Sequence, residues 1–183
     1  MILNSRSNLY NLKFPRTFIP KEVVDKYYDY LNRMPGNVIQ DPIDYINYSI
    51  QGISLPGISF DPIEQSPNDG TITYKRGFTP IQNLINRELT VTMQLLDGFI
   101  NYWILTDTLL YYYDRSNTKP YLDDLKLQIL DAEGMHIMSV VFEKPIMTGI
   151  NDLELNMASN IADFTTFDCT FVYNKFKLIN ELD

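Results

Sequence analysis

The segment from Glu88 to Leu95 constrains the fold most, because apolar and polar residues alternate along it without interruption. Leu89, Val91 and Met93 share one side of this segment, and the opposite side is polar. Alternation with a period of two predicts a half-buried antiparallel strand. The pair Asp97–Gly98 then breaks the pattern, and we expect the Asp97 side chain to cap the helix that follows.

From residue 99 the apolar spacing lengthens to that of an α-helix. The main apolar stripe consists of Phe99, Trp103, Leu110 and Tyr113, with Ile100 and Ile104 beside it. Polar residues occupy the remaining face, at Asn101, Thr106, Asp107, Thr108 and Asp114. We therefore expect the aromatic stripe to pack against the sheet, so that one helix laid on strands forms the core.

Further strands are predicted on both sides of this unit. Period-two alternation predicts them at 44–53, 71–78, 125–130, 135–144 and 166–174, with a short strand at 153–157. The four residues 131–134, which end in glycine, predict a hairpin turn. Proline, glycine and aspartate in 61–70 predict a long loop. Cys169 lies on the apolar side of the last strand, where a small buried hydrophobic residue is expected.

Residues 1–44 are predicted to form an N-terminal arm, followed by a β domain over 45–183. The arm contains a short strand near 9–14 and a helix that begins at Pro20 and ends near Arg33, because proline favours the first turn of a helix. Tyr27, Tyr28 and Leu31 give this helix an apolar side. Two interpretations remain open, namely packing on the same domain and docking onto another copy.

Composition argues against several classes of function. Against 23 acidic residues there are 15 basic ones, a net charge of −8, and neutralising DNA phosphates requires a basic face. The single cysteine cannot form an intramolecular disulfide. No apolar run approaches the length of a membrane span, and the N-terminus lacks a signal-peptide core. With one histidine, His136, and one cysteine, the sequence predicts no catalytic residue, no metal ligand and no cofactor site.

Several motifs from residue 47 onward together resemble the tail tube proteins of contractile-tailed bacteriophages. They are the turn Ser54-Leu-Pro-Gly-Ile58, the strand within 87–93, the aromatic helix start at 99–103, the turn at 131–134, and the closing segments 142–149, 153–157 and 167–173. The arm before residue 47 is longer than is usual in that family. A tube initiator, a baseplate ring or a neck ring of the same fold is therefore the alternative to the repeating tube subunit.

The resemblance implies a mainly β (α+β) fold, an antiparallel β-sandwich or barrel of the tail-tube or Hcp type with one flanking α-helix, plus the arm with its short helix. It implies a structural virion protein without enzymatic activity or cofactor. Six copies would form rings that stack into a channel for DNA ejection. The expected partners are other copies, sheath, baseplate, neck and tape measure proteins, and DNA that passes without sequence-specific binding. The expected location is the virion tail, assembled in the host cytoplasm without a membrane anchor.

Exposed, proline-punctuated segments with apolar residues are candidates for contacts between copies. The predicted contact residues are Tyr27, Tyr28, Leu31, Ile58, Phe60 and Ile63. We also hypothesise that the negative charge lines the channel, because like charge repels phosphate. Two other hypotheses are a secretion-system tube protein and a β-rich binding module or enzyme with an acidic site.

Overall fold

The structure is a computed structural model, and it describes residues 8–33, 41–55, 57, 63–65, 74–76, 88–114, 121–153 and 165–180. The helices within these ranges are α1 (Lys21–Arg33), α2 (Pro42–Ser49) and α3 (Ile100–Tyr113). The strands are β1 (Tyr10–Lys13), β2 (Ile50–Ser54), β3 (Ile63–Gln65), β4 (Tyr74–Arg76), β5 (Glu88–Gln94), β6 (Leu125–Leu130), β7 (His136–Glu143), β8 (Ile146–Ile150), β9 (Thr166–Val172) and β10 (Lys175–Asn180).

Two four-stranded antiparallel sheets form the body of the protein. Sheet A has the order β1-β6-β7-β10, sheet B has the order β2-β5-β9-β8, and β3 and β4 form a separate small hairpin. The apolar faces of both large sheets contribute to one buried core, which the three helices also join. The predicted mainly β fold with antiparallel sheets is confirmed, with three helices in place of one flanking helix and one short arm helix.

Two long bent strands connect the sheets. β7 continues into β8 across Lys144 and Pro145, and β9 continues into β10 across Tyr173 and Asn174. β7 pairs with β10 and β8 pairs with β9, so the two bent strands form one antiparallel ribbon that belongs to both sheets. Lys144 adopts a left-handed conformation at the bend, with φ of 51°. The ribbon therefore fixes the position of one sheet relative to the other.

The predicted hairpin at 125–144 and the strands at 88–95 and 166–174 are confirmed as β6–β7, β5 and β9. The loop predicted at 61–70 needs correction, because it contains β3, and β8 was not predicted. The strand predicted at 153–157 lies outside the described residues except for Leu153, which is not in a strand. β10 was not predicted.

The prediction of a strand over 44–53 is wrong for its first half, which forms α2. The Asp41 carboxylate accepts a hydrogen bond from the Ile43 amide, and Pro42 occupies the first turn. Both features favour a helix start, and they outweigh the short alternating pattern. The strand begins only at Ile50. Tyr48 lies near the end of α2 with 73% of its surface exposed.

The prediction that the aromatic stripe of α3 faces the core is also wrong. Gly98 and Phe99 both adopt left-handed backbone conformations, with φ of 66° and 57°, just before the helix. This entry turns a different face of α3 inward. The buried residues of α3 are Ile100, Asn101, Ile104, Leu105 and Thr108. The Asp97 side chain forms no capping hydrogen bond, because Asp97 lies in a 3-10 turn that precedes the helix.

Residues of the predicted arm form part of the same body. β1 pairs with β6 at an edge of sheet A. After β1, the Asn47 side chain of α2 accepts a hydrogen bond from the Phe14 amide at 2.7 Å. The expected helix from Pro20 to Arg33 is confirmed as α1. The proposed boundary between residues 44 and 45 falls inside α2.

Asn101 joins the end of β5 to the first turn of α3. Its side-chain amide donates to the Gln94 carbonyl at 2.7 Å and accepts from the Leu96 amide at 3.1 Å, and the residue is fully buried. Because Asn101→Ala leaves both backbone groups without these partners, we expect the free energy of unfolding to fall by about 2 kcal/mol. Urea denaturation measures this difference.

The matched control for Asn101→Ala is Asn32→Ala, at an exposed position of α1. Alanine is the better helix former there, so this variant should equal the wild type or exceed it by less than about 1 kcal/mol. Equal stability of the two variants would show that the Asn101 hydrogen bonds do not hold α3 to β5.

Candidate interaction surface

The described residues offer little for catalysis. They contain no group of three or more His, Cys, Asp or Glu side chains that could hold a metal ion. The His136 ring nitrogen Nε2 lies 2.8 Å from Ser139 Oγ, but Ser139 is fully buried and so is closed to a substrate. Cys169 is buried, and burial raises the pKa of its thiol, as does nearby Asp168. The prediction that Cys169 is a small buried hydrophobic residue is therefore confirmed.

None of the described helices is both long and apolar enough to cross a membrane.

The edge strands of the two large sheets differ in charge. Sheet A ends on β1, which carries Lys13, and on β10, which carries Lys175 and Lys177. Sheet B ends on β2 and β8, whose sequences Ile-Gln-Gly-Ile-Ser and Ile-Met-Thr-Gly-Ile contain no charged residue and no proline. Lysine and proline on an edge strand prevent pairing with another chain. Both edge strands of sheet A therefore carry lysine, whereas neither edge strand of sheet B carries a charged residue or a proline.

The solvent face of sheet A is basic. Lys13, Lys126 and Lys177 lie in one row across the sheet, with Val141 between the last two. Lys177 forms an ion pair with Glu143, and the hydrogen bond and charge of this partner raise the pKa of Lys177. Lys13 and Lys126 are directly opposite each other, which is unfavourable for like charges. A neighbouring copy that extended this row would add to the repulsion.

The solvent face of sheet B is mostly uncharged. β5 and β9 place Thr90 opposite Thr170 and Gln94 opposite Thr166. The Thr92 hydroxyl donates to the Asp168 carboxylate at 2.6 Å. On the two large sheets the acidic residues are Glu88, Glu143 and Asp168, and most of the other described Asp and Glu residues lie on helices and turns. The negative charge of the chain is therefore not concentrated on either sheet.

An aromatic surface runs along the outside of α3. The residues of the predicted stripe, Phe99, Trp103, Leu110 and Tyr113, are all exposed, and Trp103 has 48% of its surface in solvent. The Trp103 ring meets the Tyr102 ring edge to face, at 5.4 Å between centroids. Exposed aromatic residues that share one helical face are characteristic of interfaces between proteins. We call this set the α3 stripe.

A polar cluster fixes α3 against α1. The Asp107 carboxylate accepts hydrogen bonds from Lys26 Nζ and, at 2.6 Å, from the Tyr27 hydroxyl. Burial raises the pKa of Asp107, but the hydrogen bonds from Lys26 and Tyr27 outweigh this effect and lower it overall. Burial, followed by the hydrogen bond with Asp107, raises the pKa of Tyr27. At the other end of α3, the Tyr112 hydroxyl donates to the Phe18 carbonyl at 3.1 Å.

The predicted contact residues are not gathered at one site. Leu31 is 1% exposed and packs inside the protomer, so its prediction as a contact between copies is corrected. Tyr27 is half-buried against α3, whereas Tyr28 is exposed. Ile58 and Phe60 lie outside the described residues. Ile63 begins β3, and its side chain is likewise outside the description.

Three features of this surface were not predicted from the sequence, namely the uncharged edges of sheet B, the exposed Tyr48 and the exposure of the α3 stripe. The types of apolar residue on the two faces of α3 indicate which face is exposed. One face of α3 carries the aliphatic residues Ile100, Ile104 and Leu105, and the other carries most of the aromatic ones. Aromatic enrichment favours an interface, and aliphatic enrichment favours a core.

No protein-family model matches the sequence, and no curated protein matches it. Among solved structures, the fold is similar to the tube-terminating cap of the anti-feeding prophage, with a TM-score of 0.49 and 12% identity over 72% of this chain and 80% of that chain. It is also similar to the sheath/tube terminator of the extracellular contractile injection system PVC, with a TM-score of 0.48 and 16% identity over 71% and 84% of the two chains.

An Hcp protein is similar as well, with a TM-score of 0.36 and 11% identity over 72% of this chain and 76% of that chain. Similarities of this size assign neither a family nor a function to the chain.

The Asp107 cluster makes stability depend on pH. The pKa of Asp107 is lowered in the folded protein, so its contribution is present above the ordinary value of 3.8 and is lost as the pH falls through the folded value. We expect Asp107→Asn to lower the free energy of unfolding by about 1 kcal/mol at pH 7, since Lys26 is largely exposed. The difference from the wild type should shrink below pH 4, as urea titrations at several pH values would measure.

Asp29→Asn, at an exposed position of α1, is the control for Asp107→Asn. This variant should follow the wild type across the same pH range. A difference between Asp107→Asn and the wild type that stayed constant down to the lowest pH would contradict a role for the ionised carboxylate.

Proposed function

We propose that this chain is a structural subunit of a hollow tube in a contractile injection machine, namely the tail tube of a bacteriophage. Six copies close into a ring, and rings stack into the channel through which DNA and the tape measure protein pass. Sheath, baseplate and neck proteins contact this tube in the virion tail, which is assembled in the host cytoplasm. The protein acts by self-assembly, without catalysis or a cofactor.

The observation that carries this proposal is the pair of uncharged edges on sheet B. β2 and β8 lie at opposite edges of that sheet and run in opposite directions, because each neighbouring pair in the order β2-β5-β9-β8 is antiparallel. β8 of one copy and β2 of the next therefore continue the antiparallel pattern when copies join head to tail. A head-to-tail contact that closes on itself produces a ring.

One backbone carbonyl on the β2 edge, that of Gln51, already accepts a hydrogen bond from within the same chain. The Tyr10 hydroxyl of β1 donates to the Gln51 carbonyl at 3.0 Å, where a bulge interrupts the pairing of β2 with β5. The pairing proposed here therefore uses the part of β2 from Gly52 to Ser54. The same bond holds the β1 edge of sheet A beside the β2 edge of sheet B.

We place sheet B at the channel. In this arrangement its solvent face lines the channel, and sheet A and the helices, which share the buried core with sheet B, lie outside it. The channel would then be lined mainly by threonine and glutamine side chains, with the carboxylates of Glu88 and Asp168 among them. None of these groups offers a positive charge to phosphate, so a nucleic-acid strand can slide without tight ionic contacts.

Negative-stain electron microscopy of the purified protein over a concentration series tests this function. Hollow tubes of indefinite length are expected for a repeating tube subunit, and isolated rings for an initiator or terminal ring. Monomers at every concentration, together with failure to join tubes in a tail extract, would contradict the proposal.

Charge on the edges of sheet B should prevent assembly. Thr148 is exposed on β8, and we expect Thr148→Lys to abolish rings and tubes because it places a lysine on the uncharged edge. The protein should remain folded, as circular dichroism would show. Particle counts by electron microscopy and sedimentation velocity measure the loss of assembly.

The matched control is Ile179→Lys, on the exposed edge strand of sheet A that already carries lysines. This variant should assemble like the wild type. Loss of assembly in Ile179→Lys with normal assembly in Thr148→Lys would assign the joining edge to sheet A and contradict the proposed arrangement.

A further inference from the structure

We propose that Tyr48 of one copy packs against Trp103 of its neighbour, so that these two aromatic residues anchor the contact between subunits. This inference rests on the proposed head-to-tail joining of sheet B. It names the pair of side chains that meet when two copies join, and it means that the α3 stripe of one copy is covered by a second copy of the same chain.

The strand registers place the two residues at the same end of sheet B. Ile50, the first residue of β2, is opposite Met93 near the end of β5, and Met93 is opposite Phe167 at the start of β9. Ile150, the last residue of β8, is opposite Cys169 of β9. The start of β2 and the end of β8 therefore lie at one end of the sheet, on opposite edges.

Trp103 lies beside the end of β8. Its neighbour Tyr102 donates a hydrogen bond to the carbonyl of Asn151, the residue that directly follows β8, at 3.5 Å. The Tyr102 ring also packs edge to face on Phe167, with 5.4 Å between centroids. These contacts fix the first turn of α3 next to the β8 edge, and Trp103 packs on Tyr102 from the solvent side.

Tyr48 lies beside the start of β2. It is two residues before Ile50, at the end of α2, and it is the most exposed of the large hydrophobic residues that the structure describes. In antiparallel pairing the start of one strand lies next to the end of its partner. When β2 of one copy pairs with β8 of another, Tyr48 therefore arrives at the end of β8, where Trp103 is exposed.

The chemistry of the pair suits an anchor between proteins. Tyr48 has 73% and Trp103 has 48% of its surface in solvent in the protomer, so burial of this surface on assembly removes apolar area from water. Tryptophan and tyrosine are enriched among the residues that contribute most to interfaces, and aromatic pairs gain from edge-to-face contact. The uncharged edge strands form the backbone hydrogen bonds of the contact. The aromatic pair determines how β2 of one copy is aligned along β8 of the other.

Trp103 is the one tryptophan of the chain, so its fluorescence reports this contact directly. In the wild type we expect the emission maximum to shift to shorter wavelength over the same concentration range in which light scattering detects assembly. Tyr48→Ala should raise the concentration needed for assembly about tenfold or more, as expected for loss of an interface anchor. Tyr48→Phe, which keeps the ring, should assemble like the wild type.

Two further variants make the test specific. Met135→Ala removes a similarly exposed apolar side chain at the β6–β7 turn and should leave assembly unchanged. Trp103→Ala alone should fail to assemble at the wild-type concentration. A mixture of Trp103→Ala with Tyr48→Ala retains one intact aromatic contact per pair, so we expect dimers by sedimentation velocity where each variant alone is monomeric.

The outcomes separate this inference from the proposed function. Hollow assemblies of the wild type with unchanged Trp103 emission and normal assembly of Tyr48→Ala would overturn the aromatic contact and leave the tube function standing. Wild-type protein that stays monomeric and does not join tubes would contradict the tube function, and the contact with it. Circular dichroism and urea denaturation of each variant confirm that a loss of assembly does not result from unfolding.

Discussion

The ribbon formed by β7–β8 and β9–β10 is the constraint on which the rest of the structure depends. Each of its two bent strands belongs to both sheets, so neither sheet can form without placing the other. The ribbon occupies one side of the sandwich. In sheet A it is followed by β6 and then β1, and in sheet B by β5 and then β2. This arrangement decides which strands end at an edge, and the edges decide how copies of the chain can meet.

In the proposed assembly, sheet A is protected from pairing by its charge and sheet B joins the copies. Sheet A presents lysines on both of its edge strands and across its solvent face, so an added strand would meet like charge. Sheet B has uncharged edges and a solvent face of mainly hydroxyl and amide groups, together with the carboxylates of Glu88 and Asp168. A monomeric protein with this topology would be expected to protect all four edges. The proposed joining of copies uses the two edge strands that carry no charge.

The helices next to sheet B bear on the register in which its edge strands could pair with another copy. Because α2 leads directly into β2 and α3 is held beside β8, each edge of sheet B carries its own helix. Backbone pairing alone tolerates shifts in register. In the proposed ring, aromatic side chains at fixed positions near each edge would restrict those shifts, as a ring of defined size requires.

The sequence by itself determined the strands with uninterrupted alternation, the hairpin at 125–144, the helix at 21–33 and the absence of a recognisable catalytic motif, because these depend on local period and composition. It did not determine α2, where a cap and a proline outweighed a short alternating pattern, or the direction in which α3 faces. α3 is apolar on nearly every side, so its periodicity could not choose between the aromatic and the aliphatic face. Only the tertiary structure made that choice, since the left-handed residues Gly98 and Phe99 set the angle at which the helix leaves β5 and so left the aromatic face in solvent.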